Sequence, residues 1–452
     1  MSVVEDIYRA LEENLGNEQE VLVEDLIRYG CSHRHHLQLG GAARKPLRAQ
    51  DILLREAERN ILGTVRGYFK RAFDEFSVGG VQVLEGTVTV DIFGSFPNAV
   101  VEVVATPLSE IGKIPGKEVR LAAAVKAYLM GKNAAWIVTI DRNTQSWYSF
   151  YMEGDFTDVG EMIRAEANYL QATTSGRIAE SDFIGLASSS TCSRCPFEPV
   201  CTVAREPDPA QLQEVEIALR LEPSLVTRLN EYLQQLNEKS YPTSRRISPS
   251  GFTGRAASSC DRAVAYGLLG KPMKSRIAPG LRRIFDMGHA FHHVIQAAMF
   301  WAYPGFREEV KGEHALNFRG SCDGVWGNRA AEIKSISVSG FDSTTSPKKE
   351  HRQQATIYAK IIEGIEIIVY IYANKNTGEL RSFEVRPSND LWHEMALRAT
   401  RVNKAVQAYE KEGGHLPPKI DKDYVCFDCD YAWICRPDLI RRVDSQQRAR
   451  ST

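Results

Sequence analysis

RGSCDGVWGNRAAEIKSIS, residues 319–337, is the stretch on which the reading of this chain turns. With its neighbours it reads as two short strands, FRGSCDGVWG (318–327) and AAEIKSIS (330–337). Asp323 belongs to the first and Glu332-Ile333-Lys334 to the second. Alternation along a strand points Glu332 and Lys334 to the same face. Two carboxylates on adjacent strands can hold a hard cation such as Mg²⁺ or Mn²⁺ through oxygen. A lysine beside that cation can help to lower the pKa of an attacking water and to orient it. A DxnExK pattern alone is short and common, and a solvated hairpin carries it equally well. Here it has company. A GxxxH runs from Gly288 to His292 and a QxxxY from Gln354 to Tyr358, both on predicted helices. His292 adds a possible nitrogen ligand, which favours Mn²⁺ somewhat over Mg²⁺. Gln354 and Tyr358, four apart, share one helix face.

Outward from this centre the periodicity predicts a helix over 279–303, strands at 307–316, a helix over 347–363 and an apolar strand at 365–373. A turn at Asn374, Asn376 and Gly378 leads to a strand at 380–386, then a helix over 389–412. The first half gives a similar order: a helix over 49–76, strands within 81–93 and 99–105, a helix over 118–130, strands at 135–142 and 146–152, and a helix over 157–172. The expected fold class is α/β, with two tandem units, each a small mixed sheet flanked by helices. The expected boundaries are a first domain at 1–205, a linker helix at 206–240, a second domain at 241–440 and a disordered tail at 441–452.

The cysteines repeat as well. Cys192, Cys195 and Cys201 spell CxxCxxxxxC, and so do Cys426, Cys429 and Cys435. Each triplet follows a lone cysteine at a similar distance, 161 residues after Cys31 and 166 after Cys260. Only Cys322 is left over, and beside Asp323 it reads as a small buried residue. Four thiolates suit zinc or an iron–sulfur cluster, and closing a loop of 175 residues from Cys260 to Cys435 would staple the chain end to the front of its domain.

On these motifs, the stretch from about Ser248 to Pro437 resembles the PD-(D/E)xK nucleases of the RecB branch, most of all the CRISPR-associated exonucleases of the Cas-four family. The resemblance implies a restriction-endonuclease-like unit that cleaves DNA, typically single-stranded or frayed ends, with Mg²⁺ or Mn²⁺. It implies a 4Fe–4S cluster on Cys260, Cys426, Cys429 and Cys435, and a metal held by His292, Asp323, Glu332 and the Ile333 carbonyl. Lys334 would position the water, and Gln354 and Tyr358 would orient the site or touch the DNA backbone. A CRISPR-adaptation or recombination protein is an expected partner.

Aligned by cysteines, the first half keeps the frame and loses the chemistry. Asp91 and Glu102 stand as carboxylates, but the lysine position is Val104, the histidine position Gly67 and the glutamine position Ala124. An inactive unit kept for structure or DNA binding is expected, with a second cluster on Cys31, Cys192, Cys195 and Cys201. His33, His35 and His36 complete no local ligand set. Gly112 to Lys117 is too short for a phosphate loop, with Glu118 where Ser or Thr is required.

Net charge is −1, so the chain as a whole does not advertise nucleic-acid binding. Between Pro242 and Arg283, however, nine Lys or Arg residues face one acid, Asp261. Arg245, Arg246, Arg255, Arg262, Arg282 and Arg283 from this stretch are candidates for phosphate contacts; a solvated linker and helix face is the plainer reading. No apolar run approaches the roughly 20 residues of a membrane span, and the acidic N-terminus lacks a signal-peptide pattern, so no membrane partner and a cytoplasmic location are expected. The alternative to an enzyme is a non-catalytic DNA-binding or scaffold component of a CRISPR-adaptation or recombination complex.

Overall fold

The computed structural model describes residues 2–15, 21–22, 48–106, 113–141, 146–175, 219–238, 240–241, 244–253, 260–274, 278–420, 425–426 and 429–439. Cys31, Cys192, Cys195, Cys201, Arg255 and the tail from 441 lie outside the described residues, and so do His33, His35 and His36. The chain divides into two compact units, Leu11–Tyr232 and Leu233–Thr452, the latter joined by Met1–Ala10.

The first unit begins within helix α1 (Val3–Leu15) and holds a second helix, α2 (Ala49–Ala72). The expected strand region 81–93 is a hairpin of β3 (Val81–Leu84) and β4 (Val88–Asp91). Glu85 and Gly86, with φ of 49° and 69°, turn it; two consecutive positive φ values match the twist of a tight hairpin. β4 also pairs in parallel with the two-residue β1 (Val21–Leu22). A second sheet has the order β2-β5-β6-β7-β8-β9, from β2 (Ser77–Val78), β5 (Gly94–Ser95), β6 (Ala99–Thr106), β7 (Ala134–Asp141), β8 (Trp147–Glu153) and β9 (Leu219–Leu221). Only β6 and β7 are parallel, and α3 (Lys117–Leu129) makes the crossover that parallel strands require. α3 and α4 (Thr157–Thr174) bury an alanine-rich core against one face, with Ala123, Ala124 and Ala127 fully enclosed. Within the segment expected to be a linker helix, Leu219–Leu221 instead hydrogen-bonds to β8 as an edge strand. A helix, α5 (Ser224–Glu238), follows it.

In the second unit β10 (Ser240–Tyr241) and β11 (Met273–Lys274) form a small antiparallel pair. α6 (Asp261–Leu268) starts directly after Cys260, and α7 (Pro279–Ala302) carries Pro in its first turn, where no amide partner is lost. The main sheet is β12-β13-β14-β15-β16: β12 (Arg307–Glu313), β13 (Arg319–Trp326), β14 (Arg329–Ile336), β15 (Ile367–Asn374) and β16 (Leu380–Val385). β14 and β15 run parallel in unbroken register from Arg329↔Ile367 to Ile336↔Asn374, bridged by α8 (Lys349–Ile361). β15 is buried almost throughout, as its continuous apolar run requires, and Tyr370 and Tyr372 are fully enclosed. α9 (Asn389–Glu412) has visible start and stop signals: the Ser388 hydroxyl accepts from the Leu391 amide at its N-cap, and Gly413 takes the left-handed conformation at φ 63° at its C-terminus. Each main sheet thus has the same succession of pairings, antiparallel before the parallel pair and antiparallel after it. Among the described residues, no helix is long and apolar enough to cross a membrane.

Candidate metal centre and cysteine cluster

Three elements of the second unit bring the singled-out residues together. α7 supplies His292, β13 supplies Asp323, and β14 supplies Glu332 and Lys334. The helix lies close to the sheet: a Cβ on Gly288 would stand 3.4 Å from the Ser335 hydroxyl. His292 Nδ1 is 3.5 Å from Asp323 Oδ1, and the Ile333 amide donates to Asp323 Oδ2 at 2.6 Å. Lys334 Nζ lies 2.5 Å from Glu332 Oε1. That contact is a short ion pair with a carboxylate that is almost wholly buried.

These groups pull one another's protonation apart. Burial drives the Glu332 carboxyl up to about 7, with the Asp323 charge adding to it and Lys334 opposing. For Asp323 burial acts the same way, but His292, Lys334 and the Ile333 amide outweigh it, and its pKa falls. Burial would lower both His292 and Lys334; the neighbouring carboxylates reverse this and raise both. Lys334 therefore stays charged, while Glu332, its partner, is only half ionised near neutrality. The two directions agree because burial of Glu332, 1% exposed, exceeds the pull of Lys334 and His292 beside it.

Gln354 and Tyr358 do share a face of α8. Gln354 Nε2 donates to the Tyr358 hydroxyl at 3.3 Å, and both are buried. Burial and then Glu332 push the Tyr358 hydroxyl far up, so it stays neutral. The sequence reading missed the surroundings of this set. Gln296, one turn beyond His292, is buried and donates to the Asp323 carbonyl at 2.8 Å and to Glu309 at 3.3 Å. His351, one turn before Gln354, meets the Tyr372 hydroxyl at 2.8 Å. Its pKa falls to about 4 through burial and the charge of Lys334. Both could have been found as helix-face neighbours of residues already chosen.

Cys260, Cys426, Cys429 and Cys435 line one small cavity of about 20 Å³, together with Tyr266 and Tyr431. Burial lifts the Cys429 thiol to about 12, and Cys260 and Cys426 add to the shift. Among the described residues, no three His, Cys, Asp or Glu side chains already form a metal cage. Carboxylates and an imidazole in the one place, and thiols in the other, are donor types that metal ions take.

The arginines expected at phosphates do not share one environment. Arg245 and Arg246 are exposed, the latter donating to Asn317 at 2.9 Å. Arg262 instead binds the carbonyls of Pro417 and Leu416 at 2.6 and 3.3 Å. Arg283 is 7% exposed within α7, and Arg282 is half-buried. Charge composition cannot tell a guanidinium that ties down chain from one that faces solvent.

In the first unit, register places Glu102 where β14 has Glu332, since Gly94↔Val101 repeats Gly324↔Ala331. The residue beside it is then Phe93 and not Asp91. Asp91 is exposed and, among the described residues, pairs with Arg66 at 3.7 Å. Glu102 is paired instead with Lys126 of α3, whose Nζ lies 2.9 and 3.1 Å from its two oxygens, with both residues buried.

No family model matches the chain, and no curated protein does. Solved structures give distant matches. One is a protein described as SSO0001, at 16% identity and TM-score 0.30 over 47% of this chain and 96% of that one. Another is an alkaline exonuclease from Laribacter hongkongensis, at 14% identity and TM-score 0.30 over 36% and 89%. The same exonuclease in complex with dAMP matches at 15% identity and TM-score 0.29 over 36% and 89%.

Proposed function

We propose that the second unit is a divalent-metal-dependent DNA nuclease of the PD-(D/E)xK type, hydrolysing phosphodiester bonds at single-stranded or frayed ends. The observation that carries this is the meeting of His292, Asp323, Glu332 and Lys334, with the Glu332 carboxylate buried and paired to Lys334. Asp323, Glu332, His292 and the Ile333 carbonyl would hold Mg²⁺ or Mn²⁺. That cation, when bound, would supply positive charge for the phosphate and acidify a water. Lys334 stays protonated beside Glu332 and donates to the attacking water or a phosphate oxygen. Gln296 fixes the Asp323 backbone from behind, so the carboxylate keeps its direction. Gln354 and Tyr358, buried beneath the site, orient it. Arg245 and Arg246 are the exposed ones among the described candidates for phosphate contact.

Cys260, Cys426, Cys429 and Cys435 would hold a 4Fe–4S cluster, a reading supported by their lining one cavity. The first unit is read as a decayed duplicate, kept for structure or DNA binding, with a second cluster on Cys31, Cys192, Cys195 and Cys201. A CRISPR-adaptation or recombination protein is the proposed partner.

The test is cleavage of end-labelled single-stranded DNA with Mn²⁺ after anaerobic purification, beside Lys334→Ala and Asp323→Ala. Loss of cleavage in both, by at least about a hundredfold, with iron and sulfide content unchanged, is the expected result. Equal cleavage by Asp323→Ala would refute the assignment. Cluster without cleavage in wild type would favour a scaffold.

A further inference from the structure

The first unit carries a cleft of about 490 Å³ at one end of its six-stranded sheet, on the face away from α3 and α4. Its floor is a cross-strand aromatic pair. Trp136 of β7 and Tyr151 of β8 are register partners, with ring centroids 4.9 Å apart, and Phe96 lines the cleft beside them. Three carboxylates line it too: Glu75, Glu153 and Glu222.

The fold does not require this floor. Carrying the register across to the second unit, the positions of Trp136 and Tyr151 fall on Val369 and Glu384, which are themselves paired. A half-buried tryptophan at one end of a sheet, where the matching sheet does without it, is aromatic area left available to a ligand.

The chemistry of the lining selects the ligand. Arg220 of β9 lies with its guanidinium carbon 5.1 Å from the Tyr151 ring centre, which shows how this surface accepts a flat cation. Against the three carboxylates stand Arg220 and, at the Pro97 carbonyl, the Lys132 ammonium. Among the described residues the local balance is therefore negative. A nucleic-acid strand brings a phosphate with every base and would be repelled. A guanidinium gains from the ring faces and the carboxylates together. We propose that this cleft binds an arginine-type guanidinium, stacked on Trp136 and held by Glu153 and its neighbours. The source would be either a basic peptide or a free arginine derivative.

Calorimetric titration of the full chain with arginine amide and with a hexa-arginine peptide tests this, beside Trp136→Ala and Glu153→Gln. Glu153 is exposed, so its variant keeps the fold, and circular dichroism checks both. The expected result is saturable binding that each substitution weakens about fivefold to tenfold. Tighter binding of the peptide would assign the source to a protein segment, and equal affinity per guanidinium would assign it to a free ligand. Absence of binding by both probes, or binding untouched by both substitutions, would overturn the proposal. So would oligothymidine binding that is lost in Trp136→Ala and strengthened in Glu153→Gln.

Discussion

Glu332 is a carboxylate that the second unit buries at a cost. It is 1% exposed, and its carboxyl is pushed up to about 7 despite its ion pair with Lys334. An unfolded glutamate titrates near about 4.3. With the folded value above the unfolded one, the folded state binds the proton more tightly. Stability is then full below about pH 4 and is lost as pH rises towards about 7, with the whole penalty present above that. Glu332→Gln should raise the stability of the metal-free protein at pH 8 by about 3 to 4 kcal/mol and change little at pH 4. Urea unfolding at the two pH values checks this, and a variant less stable than wild type at pH 8 would contradict the stated shift. Mn²⁺ should reverse the sign: it should raise the wild-type melting temperature more at pH 8 than at pH 5, and scarcely raise that of Glu332→Gln.

At the scale of elements, close approaches decide which glycines the second unit cannot replace. A Cβ on Gly312 of β12 would come within 2.4 Å of the Ile361 carbonyl at the end of α8, a backbone atom that cannot step aside. Gly312→Ala should therefore cost about 2 to 3 kcal/mol, while Gly327→Ala, with nothing near its added carbon, should cost only the strain of its φ of 52°. Thermal unfolding of the two variants tests the order. The helices and strands of this unit were legible because their signals are local: Ser388 and Gly413 frame α9, and the apolar run of β15 permits little else. The need for Gly312 was not legible, since its reason lies in a helix end 49 residues onward. The same limit acted at the site. His292, Asp323, Glu332 and Lys334 stood out as residue types at a spacing, whereas Glu102 with Lys126 is a pair between a strand and a helix that spacing does not mark. Counting from the cysteines also put Asp91 beside Glu102, where the strand register puts Phe93.

At the scale of the whole chain, the surprising assignment is that Met1–Ala10 belongs with the second unit, more than two hundred residues away in sequence. The contacts explain it. The Tyr8 hydroxyl accepts from the Leu380 amide at 2.7 Å and lies 3.4 Å from the Gly378 carbonyl, so it closes the turn between β15 and β16. The Tyr303 hydroxyl donates to Asp6 at 2.9 Å, and Val3, Ile7 and Ala10 are buried. A turn held by a side chain from the far end of the chain should loosen when that side chain is removed. Tyr8→Phe leaves the ring and removes only the hydroxyl, so the Leu380 amide loses a partner at a cost of about 1 kcal/mol. Hydrogen exchange should then quicken at residues 378–381 while β6 and β7 of the first unit keep their protection. Quickening in both units alike would mean that the substitution acts on global stability instead. Unchanged exchange at the turn would mean that the first ten residues do not close it.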